Sequence, residues 1–154
     1  MGAQPRRHEF KQGLFTYAIA MARDKGVSAY VGDGSNRSPA VHLLDAARLY
    51  RLVLEKGSAG TRYHAVAEEG VSVRDFAELI GRGLKVPVVG KSPKEALEHF
   101  GWLAAFVGSD LPASSAKTQK QLGWRPTGRG SIPDLEQMNY LEADTVAASA
   151  ARRT

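Results

Sequence analysis

The chain has 154 residues, of which 43% are hydrophobic, and this is enough for one soluble domain with a single buried core. It contains no cysteine, which excludes disulfide frameworks and thiolate zinc sites and makes a reducing cytoplasm the expected compartment. Its first nine residues are polar, and no apolar run has the length of a membrane-spanning helix, so neither export nor membrane insertion is expected.

The net charge of +5 comes mostly from the two ends of the chain. Arg6 and Arg7 stand near the first residue and Arg152 and Arg153 near the last, so the body between them carries a net charge of only +1. The segment around Arg129 lacks the neighbouring aromatic residues that stack on single-stranded nucleic acid. Nucleic-acid binding is therefore the weakest of the functions considered below.

The beginning of the chain predicts a helix followed by a strand. Apolar residues at spacings of three and four predict a helix over residues 10–25, which Gly26 ends. A strand over 27–31 then leads to the turn Gly32-Asp33-Gly34, where glycine can adopt the positive φ angles of a tight reversal.

The next stretch predicts a second strand and a second helix. The strand covers residues 41–44, and its apolar composition predicts that both of its faces are covered. Asp45 is expected to cap a helix over residues 46–56, which Gly57 ends. Five apolar residues are expected to form the buried face of this helix: Ala46, Leu49, Tyr50, Val53 and Leu54.

The middle of the chain continues this alternation. A strand is predicted over residues 62–67, a polar turn over 68–70 and a helix up to Ile80 that Ser72 caps, with Asp75 at the reciprocal position of a capping box. The buried stripe of that helix is expected to contain Val73, Phe76, Ala77 and Ile80. Strands and helices in this order favour an α/β fold.

The last third predicts helices and one short apolar strand. The strand covers residues 86–89, and the next helix begins with Ser92 as cap and Pro93 at its first position. This region carries the richest apolar and aromatic cluster of the chain: Ala96, Leu97, Phe100, Trp102, Leu103 and Phe106. The cluster is expected to pack over a core, and part of it is a candidate wall of a ligand pocket. Short helices are predicted over 114–121 and 132–141.

The domain organisation that follows is a single α/β portion with loose ends. Residues 10–142 are expected to form the folded portion. Residues 1–9 are expected to be disordered or loosely ordered, and residues 143–154 to form a frayed tail.

Several of these segments, in this order, resemble the C-terminal half of the extended short-chain dehydrogenase/reductase family, the NAD(P)-dependent epimerases and dehydratases. The Gly32-Asp33-Gly34 strand end is similar to the family's Gly-x-Gly turn. Val41-His42-Leu43-Leu44-Asp45-Ala46-Ala47 resembles its V-H-x-x-D-x-A segment, and Leu122-Gly123-Trp124-Arg125-Pro126-Thr127 its LGW-x-P turn. The resemblance implies the C-terminal part of a Rossmann-like fold, with a small mixed α/β substrate-binding subdomain.

The chain departs from this family at the parts that carry its chemistry. The turn at Gly32–Gly34 precedes another predicted strand, whereas a dinucleotide site needs a glycine-rich turn that opens a helix. None of the five tyrosines is followed four positions later by lysine, so the Tyr-x-x-x-Lys pair that transfers protons in the family is absent from this chain. The resemblance therefore implies a substrate-binding portion that is inactive alone. NAD or NADP would bind a missing N-terminal half or a second subunit, and is not expected to bind this chain by itself.

Four residues are candidates for binding the substrate, which the resemblance implies to be a sugar nucleotide or a carbonyl or alcohol compound. Arg37 suits bidentate contact with phosphates, as a basic residue of this loop does in relatives that use sugar nucleotides. Asn36 could orient a hydroxyl, and Trp102 belongs to the aromatic cluster. His42 has no nucleophile paired with it, which favours a packed or hydrogen-bonded role over a catalytic one.

Two other kinds of function remain open. The chain could be a stand-alone ligand-binding or protein-binding module descended from the same half, or, less favoured, a nucleic-acid-binding protein. A metal site is not expected, because Glu95 and His99, one helical turn apart, are too few ligands.

Overall fold

A computed structural model describes residues 14–137, and these residues form a mixed α/β fold. Its elements in chain order are α1 (Leu14–Lys25), β1 (Ser28–Val31), β2 (Arg37–Ala40), α2 (Leu43–Lys56), β3 (Glu68–Ser72), α3 (Val73–Leu84), β4 (Val88–Lys91), α4 (Pro93–Phe100), the 3₁₀ turn Gly101–Leu103, α5 (Ala104–Val107), α6 (Ala116–Leu122) and α7 (Ser131–Gln137).

The strands form two small sheets of two strands each. β1 and β4 are parallel, with Ser28 opposite Val88 and Val31 opposite Lys91. β2 and β3 are antiparallel, with Arg37 opposite Ser72. Since β1 and β4 run in the same direction, their carboxyl ends meet at one edge of the sheet.

Helix α3 lies at the centre of the core and confirms the predicted buried stripe. Val73, Phe76, Ala77 and Ile80 are all buried. Ser72 caps the helix as predicted, its side-chain oxygen accepting from the backbone N–H of Asp75 at 3.4 Å. The helix α4 that follows β4 begins with a complete capping box between Ser92 and Glu95, with Pro93 in the first turn.

The prediction of a strand over residues 41–44 is wrong. The strand lies earlier, at Arg37–Ala40, where it pairs with β3, and α2 already begins at Leu43. The cap is His42 instead of Asp45, because its ring Nδ1 accepts from the N–H of Leu44 at 3.2 Å. Leu44 is 65% exposed, so the expected cover on both faces is also wrong.

The predicted strand over residues 62–67 and the predicted polar turn over 68–70 are both wrong. Glu68, Glu69 and Gly70 belong to β3, because β2 supplies the partner strand. Residues 61–66 form neither helix nor strand, since no other strand of the described residues lies beside them.

Two of the predicted buried faces are only partly buried. In α2, Leu49 is buried and Ala46 and Val53 are half-buried, but Tyr50 is 72% and Leu54 88% exposed. In the aromatic region, Ala96, Phe100 and Leu103 enter the core with Ala29 and Val107, whereas Leu97, Trp102 and Phe106 remain exposed. The spacing of apolar residues thus placed them on common helix faces, but it did not show which of these residues are covered by other parts of the protein.

Some predictions fall outside residues 14–137. These are the first turn of the helix predicted over 10–25, the end of the helix predicted over 132–141, the loose ends and the four terminal arginines. Among the described residues, none of the helices combines the length and apolar character that crossing a membrane requires.

Candidate functional site

The candidate site is the loop of residues 32–37 at the carboxyl ends of β1 and β4, the edge at which open α/β sheets bind ligands. Gly32 and Gly34 have φ angles of +61° and +72°, and the N–H of Gly34 donates to the carbonyl of Val31 at 3.0 Å. A Cβ at Gly34 would lie 2.6 Å from Cβ of Arg74 and 2.7 Å from Cδ2 of Tyr30. The tight reversal therefore requires glycine at this position.

The side chain of Asn36 links this loop to the C-terminal end of α5. Its side-chain amide donates to the carbonyl of Val107 at 2.7 Å and to that of Ser109 at 3.1 Å. Both amide hydrogens are thereby used, and the amide oxygen, with its two lone pairs, is the group by which Asn36 would orient a hydroxyl.

Arg37 lies at the exposed end of the same loop and forms a bidentate ion pair with Asp110. Its Nε donates to one carboxylate oxygen at 3.0 Å and its Nη2 to the other at 2.9 Å, while its backbone N–H donates at 2.8 Å. The side-chain hydrogen bond from Arg37, followed by the backbone one, lowers the pKa of Asp110. The Arg37 side chain is 50% exposed, and Asp110 uses only two of the five guanidinium N–H donors.

A second group of charges lies beside this loop. The guanidinium carbon of Arg74 is 5.5 Å from the ring centroid of Tyr30, and its Nε donates to Glu78 at 2.9 Å. The pKa of Asp33 is lowered, mainly because the backbone N–H of Ser35 donates to its carboxylate, and Arg74 adds a smaller effect. The surface around the loop thus carries both cationic and anionic side chains.

His42 and Asp45 hold a different part of the fold together. The carboxylate of Asp45 is fully buried and accepts from the backbone N–H groups of Thr127 and Gly128, at 3.1 and 2.7 Å, and from the side chain of Arg48. The indole N–H of Trp124 donates to the Asp45 carbonyl at 3.0 Å. The two motifs that carry the family resemblance therefore meet in one buried structural contact.

Trp102 lies in an exposed group of aromatic rings. Its ring contacts Tyr17 edge-on at 5.7 Å and Phe106 edge-on at 6.2 Å between centroids, and its own surface is 64% exposed. We call Tyr17, Trp102 and Phe106 the aromatic patch. Phe106 directly precedes Val107 in α5, and the carbonyl of Val107 accepts a hydrogen bond from Asn36. Helix α5 therefore connects the aromatic patch to the candidate site.

The structure brings together two of the four predicted site residues. Asn36 and Arg37 both bind residues 107–110, at the end of α5 and just after it. His42 instead caps α2, and the ring contacts of Trp102 are to Tyr17 and Phe106. Asp110 was missed by sequence analysis, because an isolated aspartate in a loop carries no pattern that indicates its partner 73 residues earlier.

The described residues do not form a metal site. They contain no group of three His, Asp or Glu side chains close enough to share an ion. Glu95 is occupied by its capping box with Ser92, and burial lowers the pKa of His99, with Lys25 and Lys91 adding to this effect.

Comparison with curated proteins finds two fungal relatives. Uncharacterized protein C2A9.02 of Schizosaccharomyces pombe is 51% identical over 123 residues, which cover 80% of this chain and 42% of that protein. Uncharacterized protein YLL056C of Saccharomyces cerevisiae is 48% identical over 120 residues, covering 78% of this chain and 40% of that protein. The chain thus spans about two fifths of the length of these relatives. No family model matches it.

Comparison with solved structures shows the fold. The dTDP-glucose 4,6-dehydratase DesIV from Streptomyces venezuelae, with NAD and TYD bound, matches 88% of this chain and 40% of its own, with a TM-score of 0.61 and 21% identity. Pal from Bacillus thuringiensis matches 91% and 42%, with a TM-score of 0.60 and 19% identity. RMD from Pseudomonas aeruginosa, complexed with NADPH, matches 86% and 42%, with a TM-score of 0.53 and 17% identity. The described fold is thus similar to part of these Rossmann-like proteins.

Proposed function

We propose that the chain is the substrate-binding portion of an NAD(P)-dependent oxidoreductase or epimerase of the extended short-chain dehydrogenase type. Residues 10–142 form this portion, and a cofactor-binding part comes from an N-terminal half or a second subunit. The observation that carries the proposal is the fold likeness to a dehydratase with NAD bound, which spans 88% of this chain but only 40% of the dehydratase. We further propose a reducing cytoplasm as the compartment, because the chain contains no cysteine.

The described residues do not fit a nicotinamide dinucleotide. The turn from Gly32 to Gly34 leads into strand β2 instead of opening a helix. The N-terminus of α3 lies against this loop, but its N–H groups at Val73 and Arg74 donate to the carbonyls of Asn36 and Gly34, at 2.9 and 3.1 Å, and are therefore not free to receive a pyrophosphate. The chain also lacks the Tyr-x-x-x-Lys pair. In this proposal, hydride and proton transfer therefore belong to the other part of the enzyme, and the chain alone is inactive.

The role proposed for this chain is to hold the substrate at the loop of residues 32–37. Arg37 carries donors that Asp110 does not use, and a half-exposed guanidinium can exchange its carboxylate partner for phosphate oxygens in the same bidentate geometry. The exposed rings of the aromatic patch offer an apolar surface for a sugar or a base. These two features favour a sugar nucleotide over a small uncharged carbonyl or alcohol compound.

Titration of the purified chain with dTDP-glucose, followed by isothermal calorimetry, tests this role. We expect weak binding that Arg37→Ala reduces at least about tenfold, because a charge-assisted hydrogen bond contributes roughly 1.5–3 kcal/mol and each 1.4 kcal/mol is a factor of ten. Arg51→Ala is the matched control, since Arg51 also forms a surface ion pair, with Glu55 at 2.7 Å, but on α2. Equal affinity of the two variants would contradict the role of Arg37.

A further inference from the structure

Helix α2 has an apolar flank that the described residues leave uncovered. Leu43, Ala47, Tyr50 and Leu54 recur at spacings of four, three and four, which places them within about 60° of the helix circumference. All four are exposed, with Leu43 at 58%, Tyr50 at 72% and Leu54 at 88%. We call these four residues the α2 stripe.

The other sides of α2 differ in character from the α2 stripe. Leu49 is buried against Leu122 and Trp124. The charged residues Arg48, Arg51 and Glu55 lie on the adjoining solvent-exposed side, about 100° around the helix from the stripe, where Leu44 is the single apolar residue. An exposed apolar flank of this kind marks a surface that contacts another layer of protein.

Residues 62–65, which pack against α2, also have one side without a partner among the described residues. Tyr63 and Ala65 pack toward the Leu49 cluster, while Arg62 and His64 are exposed, which is the alternation of a strand. The N–H of His64 donates to Oγ1 of Thr118 at 2.8 Å. Within residues 14–137, however, the N–H groups of Tyr63 and Ala65 take part in no backbone hydrogen bond. Residues 62–65 thus have the side-chain pattern of a sheet strand and one free edge.

We propose that the α2 stripe and the free edge of residues 62–65 dock the polypeptide that the fungal relatives possess beyond the matched region. This inference rests on the proposed function and identifies its partner. The Schizosaccharomyces pombe relative is 51% identical over the match, yet 58% of its length lies outside it. A strand of that additional part would pair with residues 62–65, and its apolar surface would cover Tyr50 and Leu54.

The test compares one pair of substitutions in two contexts. In a chimera, the matched 123-residue region of this chain replaces the corresponding region of the Schizosaccharomyces pombe relative, and the chain alone is measured beside it. Both carry Tyr50→Glu with Leu54→Glu, or the control Leu97→Glu, an apolar residue of α4 that is 62% exposed. Thermal unfolding is followed by calorimetry, and hydrogen exchange is measured at the amides of Tyr63 and Ala65.

The expected result differs between the two contexts. In the chain alone, the double variant shifts Tm by no more than about 2 °C, because both side chains are exposed. In the chimera it lowers Tm by at least about 6 °C, since two glutamates must enter an apolar contact, while Leu97→Glu changes Tm little in either context. The amides of Tyr63 and Ala65 exchange at least about 100-fold more slowly in the chimera than in the chain alone.

Three results would overturn the proposal. The first is an equal Tm shift in both contexts, and the second is a chimera that fails to fold despite the identity of the matched regions. The third is a chain that sediments alone as a dimer and becomes monomeric in the double variant, because the stripe would then bind a second copy. The NAD(P) affinity of the chimera tests the proposed function separately, since a docked chimera without cofactor binding contradicts only that function.

Discussion

Substitution of Asp45 by asparagine tests whether the two motifs of the family resemblance are held together by one carboxylate. Asp45 is fully buried and accepts from the backbone N–H groups of Thr127 and Gly128, and Arg48 donates to it as well. Asparagine has nearly the same shape, but one of its two terminal groups is a donor. That amide would face a backbone N–H, so at least one hydrogen bond would be lost and two donors would oppose each other.

The magnitude follows from the burial of these groups. A hydrogen bond to a charged acceptor contributes roughly 1.5–3 kcal/mol, and an unpaired buried donor adds a further cost. We therefore expect Asp45→Asn to lower the free energy of unfolding by about 3 kcal/mol, which corresponds to a fall in Tm of about 10 °C for a chain of this size. Arg48→Ala should cost less than about 1 kcal/mol, because the Arg48 side chain is 53% exposed.

Urea unfolding followed by tryptophan fluorescence measures both values. The chain has two tryptophans, and a Trp102→Phe background leaves Trp124, which is buried and donates to the Asp45 carbonyl, as the single reporter. If Asp45→Asn and Arg48→Ala destabilise equally and by less than about 1 kcal/mol, the buried carboxylate does not hold the turn and the reasoning is refuted.

The remaining predictions concern the loop of residues 32–37. Asp110 has a lowered pKa in the folded state, so its stabilising effect is present above the unfolded pKa near 4 and is lost as the pH falls through the folded value. Asp110→Asn should therefore make the fall in stability from pH 5 to 3 shallower, as urea titrations at each pH will show; an unchanged slope would contradict the pairing with Arg37. Gly34→Ala should lower the free energy of unfolding by about 2 kcal/mol, since φ is +72° and the new Cβ meets Arg74 and Tyr30. Gly83→Ala, whose Cβ meets nothing within 4 Å, is its control, and equal urea midpoints for the two variants would exclude steric crowding.

The sequence alone determined the features that depend on residues close together in the chain. The capping of α3 by Ser72, the capping of α4 by Ser92 and the glycine turn after β1 all arise between residues three positions apart. Helix periodicity likewise identified the buried stripe of α3, because Val73, Phe76, Ala77 and Ile80 lie on one face of any helix with that sequence.

The tertiary structure decided every feature that depends on a distant partner. Arg37 forms its ion pair with Asp110, which lies 73 positions later in the chain. Asp45 was expected to cap a helix, but it is a buried acceptor for the N–H of Gly128, 83 positions later. Residues 62–67 have the composition of a strand, but a strand exists only where a second one pairs with it. Tyr50 and Leu54, which are exposed although they were expected to be buried, show the same dependence on distant partners. A sequence pattern shows that a side chain is apolar, whereas only the assembled protein determines what covers it.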